Sequence, residues 1–305
     1  MYAATRSFTR TLSKKEPDAD MALTAAKFFF DGREVSPAEE SRFFRSLKVR
    51  NRNTKQTAHG RLDALNDIAI DLLGAPGRRI RTALDVGISS GVTTAELFDS
   101  FRRAGLSPAI TATDLSIYAT IVHLSKYVRV LIDAAGDILQ YDIRGFAVRP
   151  WRRRLDRFSG MGLVKSAIER RYAAAAKSAV ADPAAQKDRV ALINPRLAAN
   201  REIELREDDL LQRNPDFVGR FDFIRAANVL NREYFDEPTL KRAIEGLTAY
   251  LSGPGALILF VRTNDRTGHH GGFYELADDG RLRLVRQVGR GSELAPLIGA
   301  PGQTE

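Results

Sequence analysis

The chain has 305 residues, a formal net charge of +9 and no cysteine, which excludes disulfides and thiolate metal sites and suits a reducing, cytoplasmic setting. No apolar run approaches the ~18 residues of a membrane span. The four histidines, His59, His123, His269 and His270, fall in no ligand-spacing pattern, so no metal is expected.

Read in chain order, residues 1–30 are expected to be a disordered tail. They begin rich in Arg, Ser and Thr and lack the apolar stretch of a secretory signal. Residues 31–78 read as a helical preface. Ser36 is placed to cap a helix with Glu39 three residues on, and Phe43, Phe44 and Leu47 then share one face. A second helix carries Leu62, Leu65, Ile68, Ala69 and Leu72 at spacings of three and four, and the Gly74-Ala75-Pro76-Gly77 run stops it. This preface is expected to pack on the sheet or to lid the ligand pocket.

The core, residues 79–119 and 196–305, alternates strand and helix. Strands are expected at 82–86, 109–113, 203–206, 221–226 and 256–261, with helices at 93–103 and 239–251. That order argues a mostly parallel, doubly wound α/β sheet. Residues 272–276 and 282–288 flank Asp278-Asp279-Gly280 and form a hairpin, hence an antiparallel edge.

One connection is long: ~85 residues separate the second and third core strands, where such links normally need far fewer. Residues 120–195 are therefore read as an insertion that caps the fold. It begins with a hairpin of residues 128–133 and 138–143 around Ala134-Ala135-Gly136-Asp137. A helix at 163–177 follows, with Val164, Ala167, Ile168 and Tyr172 on one stripe. The excess charge is concentrated here, since residues 144–171 hold nine Lys or Arg against Asp156 and Glu169. Arg152, Arg153 and Arg154 lie beside Trp151 and Phe158. Such a patch suits an anionic membrane surface or, less well, a nucleic-acid strand, though a solvated helix face carries the same pattern.

The most informative stretch runs from Leu84 to Thr94. A buried strand breaks at Gly87-Ile88-Ser89-Ser90-Gly91 and then opens a helix. Gly87, Ser89 and Gly91 leave room for a ligand against backbone. Asp114 ends the next strand, where its carboxylate can accept from a ribose. These residues resemble the cofactor loop of the class I S-adenosylmethionine-dependent methyltransferases, with Ser89 in place of the middle glycine. Three further places extend the resemblance. They are Asp208-Asp209-Leu210-Leu211, the Phe221–Ile224 strand leading to Asn228-Val229-Leu230, and Pro254-Gly255 before the last parallel strand. The Asn-Val-Leu ending is similar to that of chemotaxis-receptor glutamate methyltransferases. The resemblance implies a Rossmann-like class I methyltransferase fold with S-adenosyl-L-methionine as cofactor. It implies that Asp85 engages the methionine end, Asp114 the ribose, and Asp209, or failing it Asp208, the adenine amino group.

The methyl acceptor, a small or lipid-like molecule on this reading, would meet residues at the carboxyl ends of the fourth and fifth strands. Candidates there are Asn228, Asn231, Arg232, Tyr234, Arg262, Asn264 and Asp265. His269 and His270 before Gly271-Gly272 offer acid–base chemistry; Asn228 and His270 are the catalytic candidates. Rival readings remain. Gly87-x-Ser89-x-Gly91 also matches the nucleophile elbow of α/β hydrolases, with Ser89 as nucleophile, Asp222 or Asp265 as acid and His269 or His270 as base. A nicotinamide dehydrogenase would need G-x-G-x-x-G, which is absent. A nucleoside-binding module without catalysis, docked through the basic insertion, is the alternative from a different functional class.

Overall fold

The computed structural model describes residues 23–48, 55, 57–151, 160–264 and 266–298. In chain order, three helices come first: α1 (Ala25–Phe30), α2 (Pro37–Ser46) and α3 (Asp63–Leu73). Then follow β1 (Thr82–Val86), α4 (Val92–Arg103), β2 (Ala109–Asp114), β3 (Tyr118–Ser125), β4 (Val128–Asp133), β5 (Ile138–Ile143), β6 (Phe146–Val148), α5 (Met161–Ala181), β7 (Lys187–Ala191), α6 (Pro195–Ala199) and β8 (Ile203–Glu207). The chain continues through β9 (Phe223–Ala227), α7 (Glu237–Ala249), β10 (Leu257–Asn264), β11 (Gly268–Leu276), β12 (Leu282–Val288) and α8 (Ala295–Ile298).

The main sheet has the order β12-β11-β10-β9-β1-β2-β8. β8, β2, β1, β9 and β10 run parallel, and β11 and β12 close one edge antiparallel. Alternate residues feed opposite faces of this sheet. Ala83, Leu257 and Leu259 face α3 and α4, while Leu84, Val86, Ile258 and Phe260 face α7. The mostly parallel α/β sheet with an antiparallel edge hairpin is therefore the architecture expected. Strand order reverses between β1, which leads to β2, and β9, which the chain reaches by crossing back from β8. That switch point leaves a crevice at the carboxyl ends of the strands.

The insertion between β2 and β8 builds a second sheet, β6-β5-β4-β3-β7, antiparallel throughout. Each of its faces has its own core. One packs Val122, Val130, Ile132 and Tyr141 against α5. The other packs Ile121, Leu131, Leu139 and Val190 against α1 and α2, where Phe28 stacks on Phe43 with ring centroids 4.0 Å apart. The expected 128–133 and 138–143 hairpin is present, but it is the centre of a five-stranded layer rather than a simple cap.

Three sequence expectations need correction. The tail does not extend to residue 30: Thr24 caps α1 through a bond from the Lys27 N–H, and Phe28 is buried. The preface divides, because the Phe43/Phe44 face of α2 finds the inserted sheet while α3 packs on the main sheet. On α5, Val164 and Ala167 are exposed; the inward stripe is Ile168, Tyr172 and Ala176, a shift of one helical turn. The Ser36–Glu39 capping box forms as expected. Arg152, Arg153, Arg154 and Phe158 lie outside the described residues. Among the described residues no helix is long and apolar enough to cross a membrane.

Candidate functional site

The crevice at the switch point opens into a cavity of about 710 Å³. Asp85, Gly87, Ser89, Asp114, Asp208, Asp209 and Asn228 all line it. Gly91 does not. Parallel pairing makes this convergence possible: β1 lies between β2 and β9, with Asp85 in register with Ala112 on one side and Arg225 on the other.

Asp114 sits at the β2 end of the cavity. Its Oδ2 accepts from the Ser89 N–H at 2.7 Å, which holds the β1 loop against β2. Its Oδ1 accepts from the Ser116 N–H and from Lys55 Nζ, both at 3.2 Å. Lys55 is buried at 2 % exposure and also donates to the Ser89 carbonyl. A carboxylate offers about four lone-pair directions, so these three donors leave Asp114 one direction, on Oδ2. Lys55 was not foreseen; it stands in a stretch with no periodic pattern, and nothing in its neighbours marks it.

Asp85 is committed more fully. Arg225 Nε and Nη2 grip its two oxygens at 2.8 and 2.6 Å, and the Thr94 hydroxyl donates to Oδ2 at 2.7 Å. Arg225 is 1 % exposed and also donates to Asn66 Oδ1 and the Thr93 carbonyl. Asp85 therefore serves first as counter-ion to a buried guanidinium, not as a carboxylate held open for an amino group. This partner was legible. Arg225 interrupts an apolar strand, Phe223-Ile224-Arg225-Ala226-Ala227, and a charge inside a parallel sheet requires an opposite one nearby.

The small residues of the loop act differently from the expectation. Gly87 and Gly91 both have positive φ, at 71° and 75°. A Cβ on Gly87 would lie 1.9 Å from Val229 Cγ1, and one on Gly91 would lie 2.2 Å from Leu197 Cδ2. The Cβ directions of both glycines thus point into the protein's own side chains, while the Gly87 backbone still lines the cavity. The Gly87 and Ile88 N–H groups donate to the Thr113 carbonyl, and Gly91 N–H to Ile88. With Ser89 N–H on Asp114, four of the loop's donors are spent internally. A pyrophosphate-binding loop needs such donors turned toward the ligand, so this loop does not suit a pyrophosphate.

At the β8 end Asp209 behaves as a turn cap. Its Oδ1 accepts from Leu211 N–H and its Oδ2 from Gln212 Nε2. Asp208 Oδ1 accepts from Asn214 Nδ2 at 2.8 Å, and its backbone N–H donates to the Asp114 carbonyl. Asn228 directly follows β9, at φ 63°. Its Oδ1 accepts from Thr263 N–H at 2.6 Å and its Nδ2 donates to Thr263 Oγ1. It is a strand-end clamp on β10 as well as a cavity wall.

The histidines separate as strand neighbours must. His269 Nδ1 is 3.0 Å from Thr263 Oγ1, which continues the chain from Asn228. Burial, then the Arg61 guanidinium, holds the His269 imidazole below its ordinary range. Arg61 itself lines the cavity. His270 turns away to Thr267 and Arg290. The catalytic assignment to His270 is therefore corrected: its side chain faces the β11–β12 edge.

The hydrolase reading also loses its parts. No histidine is among the described residues lining the cavity with Ser89. Asp222 lies at the other end of the sheet, tying strand starts together. It accepts from the Arg81 and Thr82 N–H groups and from the Ser252 hydroxyl. Burial pushes its carboxyl up, but these bonds outweigh that and hold it below its ordinary range. Asp265 lies outside the described residues. Among the described residues no group of three or more His, Asp or Glu could hold a metal ion.

No protein-family model and no curated protein matches the chain. Among solved structures, it is similar to the N-methyltransferase NodS from Bradyrhizobium japonicum WM9 in complex with S-adenosyl-L-homocysteine, at 14% identity and TM-score 0.32, over 68% of this chain and 65% of that one. It is also similar to the citrinin polyketide synthase CMeT domain, at 13% identity and TM-score 0.33, over 67% and 35%. A third is CalS10, an amino pentose methyltransferase from Micromonospora echinaspora, at 13% identity and TM-score 0.30, over 66% and 49%. This chain spans less than two thirds of the length of each.

Proposed function

We propose that the chain is an S-adenosylmethionine-dependent methyltransferase acting on a small-molecule or lipid-like acceptor. The observation that carries this reading is the switch-point cavity itself. Asp114 and the β1 loop lie on adjacent strands at its floor, and Asp208 stands one strand further along. A volume of about 710 Å³ is within the range of ligand clefts.

The residues present fit a nucleoside cofactor in a restricted way. Asp114 keeps one acceptor direction for a ribose hydroxyl, and Asp208 is better placed than Asp209 to receive an adenine amino group. Leu115 and Leu210 add apolar walls. When bound, S-adenosylmethionine supplies an electrophilic methyl on a sulfonium. The chain's own part is alignment. Asp114 orients the sugar, the Asn228–Thr263 clamp fixes the β9–β10 wall, and Tyr234 and Phe235 line the acceptor side.

The test is calorimetry of the full chain with S-adenosylmethionine, then transfer of labelled methyl to a small-molecule extract. We predict saturable binding that weakens at least about tenfold in Asp114→Asn, because the ribose loses a charged acceptor. Binding unaffected by that change, or no binding at all, would overturn the proposal. Binding with no transfer to any fraction would instead favour the non-catalytic module.

A further inference from the structure

The end of the inserted sheet away from the crevice carries a separate hollow of about 440 Å³, lined by Lys126, Tyr127, Arg129, Asp142, Arg144 and Gly145. We infer that this hollow is a binding site for a phosphoryl group, carried on a soluble ester or a lipid head.

The topology creates it. β4 pairs antiparallel with both β3 and β5, so the β3–β4 and β5–β6 turns emerge at the same end. The Arg144 N–H donates to the Tyr127 carbonyl at 2.7 Å and locks the two turns together. Lys126, Arg129 and Arg144 thereby meet one acid, Asp142, and Lys27 Nζ donates to the Gly145 carbonyl at 3.4 Å. Asp142, only 5 % exposed, is already spent: it accepts from Gly145 N–H at 2.8 Å and pairs with Arg129 at 3.4 Å. It orients the Arg129 guanidinium without cancelling Lys126 or Arg144. The Tyr127 ring, 55 % exposed, has Lys126 Nζ 5.5 Å and the Arg144 guanidinium 5.6 Å from its centroid.

A solvated basic turn would be the plain explanation, but the backbone opposes it. Arg144 and Gly145 both have positive φ, at 53° and 83°, the two-residue hairpin geometry that selects Asn or Gly. An arginine held there is a costly choice for the backbone and places its fork beside Lys126 and Arg129. Guanidinium forks plus an ammonium match a phosphoryl group's oxygens, and the tyrosine face can cover whatever bears it. The eight residues of β3, about 25 Å of extended strand, run between Tyr118, just past the crevice residues Asp114 and Leu115, and the hollow. It therefore anchors or senses and takes no part in the chemistry there.

The test uses the full chain and two variants, Arg144→Gly and Lys126→Gln. Arg144→Gly keeps the left-handed turn, so it should melt at or above the parent. Inorganic phosphate is titrated while the amide signals of Lys126, Tyr127 and Gly145 are followed. Capture by phosphatidylcholine vesicles with and without phosphatidic acid is measured in parallel. The parent should bind phosphate with half-saturation below about 5 mM, or bind only the phosphatidic acid vesicles; each variant should lose about tenfold. Phosphate binding alone assigns a soluble ester, and vesicle capture assigns a lipid head. A parent that binds neither, or variants that bind as well as the parent, would overturn the inference.

Discussion

Arg225 gives the sharpest test of how the site is held. Its guanidinium, 1 % exposed, makes four hydrogen bonds, two of them to Asp85. Arg225→Met removes the cation and leaves the Asp85 carboxylate, 3 % exposed, with the Thr94 hydroxyl as its remaining partner. Breaking one side of a buried ion pair costs about 3–5 kcal/mol, because the other charge stays buried alone. For a chain of 305 residues that lowers the melting temperature by about 5–8 °C. Arg225→Met/Asp85→Asn removes both charges and should recover more than half of the loss. Calorimetric melting of parent, both single variants and the double variant closes a cycle, with an expected coupling above about 2 kcal/mol. If Arg225→Met melts within about 2 °C of the parent, or the double variant is no better than the single, Asp85 is not a structural counter-ion.

Lys55→Met should raise the affinity for S-adenosylmethionine several-fold, since it returns a lone pair of Asp114 to a ribose hydroxyl; calorimetry showing weaker binding would contradict that competition. Gly87→Ala should destabilise by about 2–3 kcal/mol, because the new methyl meets Val229 and the backbone is left-handed. Adding Val229→Ala should relieve only the clash, so urea titration should show partial recovery and not full. Asp222→Ala should cost about 2–3 kcal/mol by the same titration at pH 7, as three strand-start donors lose a charged acceptor. Because its folded pKa is depressed, that contribution is present above its unfolded pKa and fades as pH falls through the folded value. His269 is a base held below its ordinary range, so the folded state resists its protonation. Its neutral form is safe above the ordinary value of about 6.5, and stability should fall as pH drops below that. His269→Gln should flatten the slope between about pH 7 and 5 in a melting series, and an unchanged slope would remove His269 as its source.

Much of the architecture could be read from residue order. Alternation of apolar and small residues marked β1, β2, β9 and β10 to within a few residues, and the Asp278-Asp279-Gly280 turn marked the β11–β12 edge. The convergence of Asp85, Ser89, Asp114 and Asn228 on one cavity follows from parallel strands ending on one side. The pairing of Arg225 with Asp85 was present in the sequence as a charge inside an apolar strand, and it could have been drawn from that alone.

Other features were decided only when distant segments met. The spacing of Gly87 and Gly91 is local, but what their Cβ directions meet is Val229 and Leu197, which arrive from more than a hundred residues away. Local pattern likewise placed His269 and His270 together, while strand alternation turned one toward Thr263 and the other toward Arg290. Lys55 reaches Asp114 across fifty-nine positions from a stretch without periodicity. By itself, the sequence determined which segments become strands and helices, because that depends on backbone preference and on the period of apolar residues. Which carboxylates remain open to a ligand is a matter of hydrogen-bond partners supplied across the fold, and only the tertiary structure decided it.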